Sequence, residues 1–219
     1  MSQVCFSIPI SKPDPGRRVA VALQSVLSSL KPGPTSAPTV LCVGSDRATG
    51  DSLGPLVGSM LSWNGFSGMV FGTLEQPVHA ANLEQTLMLL DGRCTTILGV
   101  DACLGTKKEV GTIIVSKGPL RPGLGVNKEL PPVGHLHIAG VVNIGGFMEH
   151  LVLQSTRLNL VVKMAQAIAW GIILAAKCLE DPCPGTNPGP LHPENGAIRP
   201  ALTTAGLPLQ LLPVSGRQR

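Results

Sequence analysis

The sequence holds no tyrosine, and only two tryptophans and four phenylalanines among 219 residues. Proteins that grip single-stranded nucleic acid stack its bases on exposed aromatic rings, so the composition weighs against that class. Charge is scarce too. Asp, Glu, Lys and Arg make up 14% of the chain, against about 25% in an average domain. The 17 basic residues are scattered, so the net charge of +4 forms no stripe able to follow a phosphate backbone. The low charge, together with 26 glycines and 20 prolines, also excludes a coiled coil or a long-helix bundle. Those architectures need charged helix faces and few helix breakers.

Cysteine pattern is a further absence. Cys5, Cys42, Cys94, Cys103, Cys178 and Cys183 form no C-x-x-C pair, which leaves zinc-ligand spacing unsupported. A chain of this length also buries enough apolar surface to do without a disulfide framework. The opening MSQVCFSIPISKPDPGRR lacks a charged start followed by a continuous apolar run, so it does not read as a signal peptide. The expected compartment is therefore the cytoplasm. The longest apolar stretch, residues 158–179, is interrupted by Lys163, Gln166 and Lys177. It reads as a helix with one buried face rather than a membrane span.

What is present alternates between two periods. Residues 17–30 and 54–63 repeat apolar side chains at helical spacing, and Pro55 sits in a first turn where its missing N–H costs nothing. Residues 80–90 and 157–179 read as two more helices. Residues 39–44, 69–73, 95–101, 110–116 and 135–142 read as strands, with 147–153 as one more. Strands interleaved with helices predict an α/β fold: a single three-layer domain with a mixed, mostly parallel sheet. Residues 1–16 read as a flexible leader, 17–181 as the domain, and 182–219 as a Pro/Gly-rich tail. The Gly/Pro-rich stretch 117–134 is long for a plain connection and suggests a functional or oligomer-facing loop.

Three motifs compete around the first loop. Gly44–Ser52 (GSDRATGDS) has the outline of a phosphate loop, but Asp51 stands where the lysine belongs and would repel phosphate. Gly50-Asp51-Ser52-Leu53-Gly54 matches the G-x-S-x-G nucleophile pattern and begins with the letters GDSL. A serine hydrolase using Ser52 would also need an activated histidine, and no late Asp-x-x-His follows. The plain reading of Ser52 is a helix N-cap. His135 and His137 lie two apart on one strand face, a spacing that can hold a metal but has no placed third ligand. His79 and His150 are isolated and read as structural.

The aspartates Asp51 and Asp101 form the stronger constellation. Each follows an apolar strand and precedes a turn of small residues, Asp51-Ser-Leu-Gly54 and Asp101-Ala-Cys-Leu-Gly105. Open α/β sheets bind ligands at the carboxyl ends of their strands. Two carboxyls brought together there compete for one proton, the arrangement for general acid/base attack by water on an amide. The bland alternative is that both acids cap nearby backbone N–H groups.

The residues also carry a family likeness. Gly44–Pro55, Asp101–Gly105, Leu130-Pro-Pro-Val-Gly134, Gly140-Val-Val-Asn143 and Thr156-Arg157-Leu158 resemble the sporulation proteins of the YyaC family. That family is related to the spore germination endopeptidase and, more remotely, to hydrogenase maturation endopeptidases. The resemblance runs from about residue 17 to 179. It implies an α/β sheet wrapped by helices, with Asp51 and Asp101 as the catalytic pair acting on a protein or peptide substrate such as a small spore protein. Thr49, Ser52 and Thr106 would orient the carboxylates, and the amides of Gly50 or Gly105 would steady an oxyanion. In the hydrogenase enzymes the matching acids bind nickel together with a histidine, for which this chain offers no clear match.

The expectation is a peptidase of the forespore or mother cell of a spore-forming bacterium. It would use a carboxylate pair, with no cofactor, no metal, no direct nucleic-acid partner and no membrane. Self-association into a homo-oligomer is expected from the low charge. The alternative is a non-catalytic spore interaction module on the same fold.

Overall fold

A computed structural model describes residues 5–31, 33–34, 36–90, 96–122, 130–146 and 148–180, all within one compact unit, Met1–Pro188. Its strands are β1 (Cys5–Pro9), β2 (Thr39–Cys42), β3 (Val70–Phe71), β4 (Ile97–Gly105), β5 (Thr112–Lys117) and β6 (Leu136–Ile144). They form one sheet in the order β1-β5-β6-β4-β2-β3. The β2–β3, β2–β4 and β4–β6 pairs are parallel, while β5 runs antiparallel to both neighbours.

The sheet is covered on both faces, and β2 is accordingly buried at all four of its positions. The two-residue period of β2 divides them. Val40 and Cys42 enter the larger core with α1 (Pro15–Ser28), α2 (Leu53–Trp63) and α5 (Leu158–Glu180). Leu41 and the following Val43 enter a smaller cluster with Leu83 and Leu90 of α3 (Leu83–Leu90), and with Leu120 and Val133. The result is the expected three-layer α/β domain with a mixed, mostly parallel sheet.

α5 is long and apolar enough to cross a membrane by length and composition, and 56% of its most apolar stretch is buried inside the protein. Val161, Met164, Ile168 and Ile172 have no exposed surface. The stripe read from the sequence is therefore the main wall of the larger core.

Three expectations change. The supposed leader contains β1, an edge strand paired with β5 through Phe6–Val115 and Ile8–Ile113. Only Ile8 of its five residues is buried, so the strand has a weak apolar signature. Its Pro9 stands at the strand end, where a missing N–H is tolerated. The strand expected at 147–153 is instead helix α4 (Glu149–Gln154), apart from residue 147, which lies outside the described residues. A run of His-Leu-Val-Leu alone does not distinguish the two. Finally, β4 does not stop at Asp101 but continues to Gly105. It stays paired with β6 across an irregularity between Cys103 and Leu104. The 182–219 tail lies outside the described residues, as do 123–129 of the Gly/Pro-rich stretch. The base of that stretch is closed by reciprocal backbone bonds between Leu120 and Val133, both 2.8 Å.

Candidate active site

The chain leaves β2 toward β3 on one side and leaves β4 toward β5 and β6 on the other. A crevice opens where such directions diverge, beyond the carboxyl ends of the two strands. Both aspartates stand there. β2 ends at Cys42, opposite Val100, whereas β4 runs on. The overhang leaves Asp101, although inside a strand, facing the crevice. Val43 donates its N–H to Val100 at 2.7 Å, which aligns Val43 with Asp101 on the α3 side.

Asp51 comes from the loop between β2 and α2. Gly44 starts that loop at φ +139°, and a Cβ there would lie 2.1 Å from the Asp51 carbonyl oxygen. Only glycine permits this return of the chain. Ser45 then donates its N–H to the Asp51 carbonyl at 3.2 Å. The loop is closed from the other side by the Gly50 N–H donating to the Leu153 carbonyl of α4 at 2.8 Å. α2 is pressed onto the sheet at Gly54 and Gly58. Added Cβ atoms there would lie 2.0 Å from the carbonyl oxygens of Val43 and Gly72. Asp51 is thus fixed by backbone contacts on three sides.

The two carboxyls border one cleft of about 410 Å³, lined also by Val43, Ala48, His79, Leu130, His150 and Leu153. Asp101 is 8% exposed. Burial, reinforced by the charge of Asp51, holds its carboxyl well above the usual carboxylate range, against the Ala102 N–H donated at 2.7 Å. Burial raises Asp51 as well, and a backbone hydrogen bond from Ser45 and the imidazole of His79 offset only part of that rise. The pair is therefore unequal: Asp101 keeps its proton to higher pH. The same surroundings push the Cys103 thiol up to about 12, through burial first and then the charges of Asp101 and Glu109. That leaves little thiolate at neutral pH.

His79 is the residue that sequence reading passed over. It precedes α3 and is locked in place. Its N–H donates to Asn82 Oδ1 at 2.8 Å, Asn82 Nδ2 donates to the Pro77 carbonyl at 3.0 Å, and the Ala81 N–H donates to His79 Nδ1 at 3.3 Å. The available signal was Asn82 three residues after His79, a turn that sets the imidazole at a helix start. His150 was likewise read as isolated, yet α4 brings it to the cleft.

The remaining expected site residues are engaged elsewhere. Ser52 is 6% exposed and donates its hydroxyl to the Thr49 carbonyl at 2.7 Å, not to a side-chain cap of α2. Thr106 donates both its N–H and its hydroxyl to Glu109 Oε2, at 2.8 and 2.7 Å. Gly105 lies four residues past Asp101 and its carbonyl accepts from Gly145 at 2.8 Å. The Gly50 amide, expected to face an oxyanion, is the donor to Leu153 already described. His135 and His137 are also committed: Nδ1 of the first accepts from Ile97 at 3.0 Å, and Nδ1 of the second lies 2.9 Å from the Gly118 carbonyl. Among the described residues no three His, Cys, Asp or Glu side chains are grouped to hold a metal ion.

Comparison with known proteins places the chain in a family. "Uncharacterized protein YyaC" of Bacillus subtilis (strain 168) is 48% identical over 159 residues, 71% of this chain and 78% of that protein. Among solved structures, a [NiFe] hydrogenase maturation protease, HycI of Thermococcus kodakarensis KOD1, is similar with a TM-score of 0.47 and 16% identity. That match covers 71% of this chain and 98% of that one. The profile of the family described as "Protein of unknown function (DUF1256)" matches residues 17–171, and the chain belongs to that family.

Proposed function

We propose that this protein is a peptide-bond hydrolase in which Asp51 and Asp101 act on water and substrate as base and acid. The observation that carries the reading is the convergence of the two carboxyls in one open cleft at the strand ends. His79 beside Asp51 favours the ionised form there, while burial raises Asp101 further and favours its protonated form. Asp51 takes a proton from water as the water oxygen bonds to the amide carbon. Asp101 gives its proton to the leaving nitrogen as the C–N bond breaks. A proton then returns from Asp51 to Asp101, restoring both groups. Such acid/base pairs contribute about 10²–10⁴-fold in rate.

The reading extends, through the resemblance to germination-endopeptidase relatives, to a sporulation role in the cytoplasm of the forespore or mother cell and to a small spore protein as substrate. The test is incubation with an acid-soluble spore-protein mixture, followed by intact mass. Wild type should cut while Asp51→Asn and Asp101→Asn each lose at least about 10²-fold. Equal cutting by all three would refute the carboxylate mechanism. The serine-hydrolase alternative is disfavoured by the buried Ser52 hydroxyl, whose hydrogen bond goes to a carbonyl rather than an imidazole. A protein-interaction module on the same fold would leave the spore proteins intact while still capturing one of them.

A further inference from the structure

Two of the motifs that carry the family likeness stand behind the cleft rather than in its lining. Asn143 ends Gly140-Val-Val-Asn143, and Thr156 opens Thr156-Arg157-Leu158. The two side chains meet. Asn143 Nδ2 donates to Thr156 Oγ1 at 3.2 Å and to the Val152 carbonyl at 3.1 Å. The Thr156 hydroxyl donates to the same carbonyl at 2.8 Å, and the exposed Ser155 hydroxyl adds a longer bond of 3.3 Å. Asn143 Oδ1 accepts the Ile144 N–H at 2.9 Å, which turns both amide donors toward α4. That helix buries none of its six residues, so its apolar anchorage is slight. A helix end leaves its last carbonyls without intrahelical donors. Here the donors come from outside: Asn143 and Thr156 serve Val152, and the Gly50 N–H serves Leu153 at 2.8 Å.

β6 reaches α4 through a slip of register. Cys103 of β4 stands opposite Val141, but the next residue, Leu104, stands opposite Asn143. Val142 is the extra residue, and its side chain enters the larger core. An insertion of this kind re-aims the side chain that follows it. Asn143 therefore reaches α4 from the same strand pair that carries Asp101, which is paired with Ala139 earlier on β6. The Asp51 loop is pressed against the far end of this contact. A Cβ on Gly50 would lie 2.9 Å from Thr156 Oγ1 and 2.8 Å from Leu153 Cδ2, and Thr156 is itself buried. The path between the two aspartates is short. It runs from β4 to β6 through the ladder, from β6 to α4 through Asn143 and Thr156, and from α4 to the loop through Gly50.

We propose that Asn143 and Thr156 are positioning residues: they lock the end of α4 to β6, so that the Gly50–Asp51 peptide is held at a fixed place relative to Asp101. The catalytic consequence rests on the peptidase reading, but the hold on the loop is read without turnover. The full chain is compared with Thr156→Val, which keeps the shape and removes the hydroxyl, and with Thr156→Ser, which keeps the hydroxyl. Asn143→Asp keeps the shape and removes both donors. Asp14→Ala, which takes the side-chain cap from α1, controls for general destabilisation. Amide hydrogen exchange followed by NMR compares the Gly50 N–H with those of β4 and β6. Thr156→Val and Asn143→Asp should each speed exchange at Gly50 about tenfold more than in the strands. Thr156→Ser should stay close to wild type, and Asp14→Ala should not single out Gly50. Cutting of the acid-soluble spore-protein mixture should fall at least about tenfold in Thr156→Val and Asn143→Asp and be retained in Thr156→Ser.

Exchange at Gly50 that stays unchanged, that rises only in step with the strands, or that rises as much in Thr156→Ser as in Thr156→Val would each overturn the proposal. Where Thr156→Val fails to fold, Asn143→Asp carries the same test from the strand side. If Gly50 loosens as stated but no protein, wild type included, ever cuts, the hold on the loop stands and the hydrolase reading falls. If wild type cuts and the loosened variants cut equally well, the hydrolase reading stands and the positioning role falls.

Discussion

Replacing Gly54 by alanine tests how the sheet holds Asp51. Alanine is the better helix former by about 1 kcal/mol, so an unconstrained helix would gain. Here the new Cβ would lie 2.0 Å from the Val43 carbonyl oxygen, 2.9 Å from its carbon and 3.0 Å from its nitrogen. The obstacle is main chain of β2, which cannot swing aside as a side chain would. Ordinary contact starts at 3.4 Å, so α2 must withdraw by roughly 1.4 Å at that point. Withdrawal loosens Val57 and Leu61, both without exposed surface. Overpacking of this kind costs about 1–3 kcal/mol, more when backbone resists, so a net loss of about 2 kcal/mol remains after the helix gain. For a domain of this size that lowers Tm by about 4–8 °C. Thermal unfolding by circular dichroism reads it directly. Gly58→Ala should behave alike, because its Cβ meets the Gly72 carbonyl oxygen at 2.0 Å. The double variant should cost less than the sum, since one withdrawal relieves both contacts. Ser62→Ala, on the exposed side of α2, should leave Tm nearly unchanged. A Gly54→Ala protein as stable as wild type would refute the close approach and the account of how Asp51 is positioned.

Other outcomes follow from the unequal carboxyls. Because Asp101 has a raised pKa when folded, its contribution to stability is full below the unfolded value of about 3.9 and is lost as pH rises through its folded value. Asp101→Asn should therefore gain Tm relative to wild type with rising pH, and a pH-independent difference would contradict the burial argument. His79→Gln should move the acid limb of the pH–rate profile upward, because the imidazole that lowers Asp51 is gone; an unmoved limb would detach His79 from the base. Ser52→Ala should retain peptidase activity and lose roughly 1 kcal/mol of stability in urea unfolding, the worth of one hydroxyl–carbonyl bond. Loss of activity without loss of stability would revive Ser52 as nucleophile.

The fold was largely legible because its core elements carry strong periods. The helix at 157–179 shows a wide apolar stripe, and the strands at 39–44 and 95–101 centre on short apolar runs, Val40–Val43 and Ile97–Val100. β1 was hidden because an edge strand with one buried side chain has almost no pattern. α4 was hidden because it buries no residue, so no helical stripe marks it. At the site, the two aspartates could be picked out because each follows an apolar run and precedes small residues. Their supporting contacts could not. Donors such as the Gly50 amide and the Thr106 hydroxyl were assigned by nearness in sequence, but partners are chosen in space. The Gly50 amide finds α4, about a hundred residues on, and Thr106 finds Glu109 in its own turn. His79 was missed for the converse reason: 28 residues separate it from Asp51, and only the pairing of Val78 beside Val43 brings it near.

That pairing also explains why two identical side chains have different surroundings. Asp51 stands on a loop, within reach of a polar backbone group and an imidazole, so its burial is partly offset. Asp101 stands inside a strand flanked by β2 and β6, where its own Ala102 amide is the compensating donor. The difference lies in the overhang of β4 beyond β2, which carries a carboxyl into the cleft without releasing it from the sheet. A glutamate at position 101 would place the carboxyl one methylene farther from the strand. The added reach would lower the penalty of burial, so the two carboxyls would ionise at more nearly equal pH. The order of ionisation thus comes from strand length and register, and the aspartate at 101 keeps it because its side chain is too short to escape them.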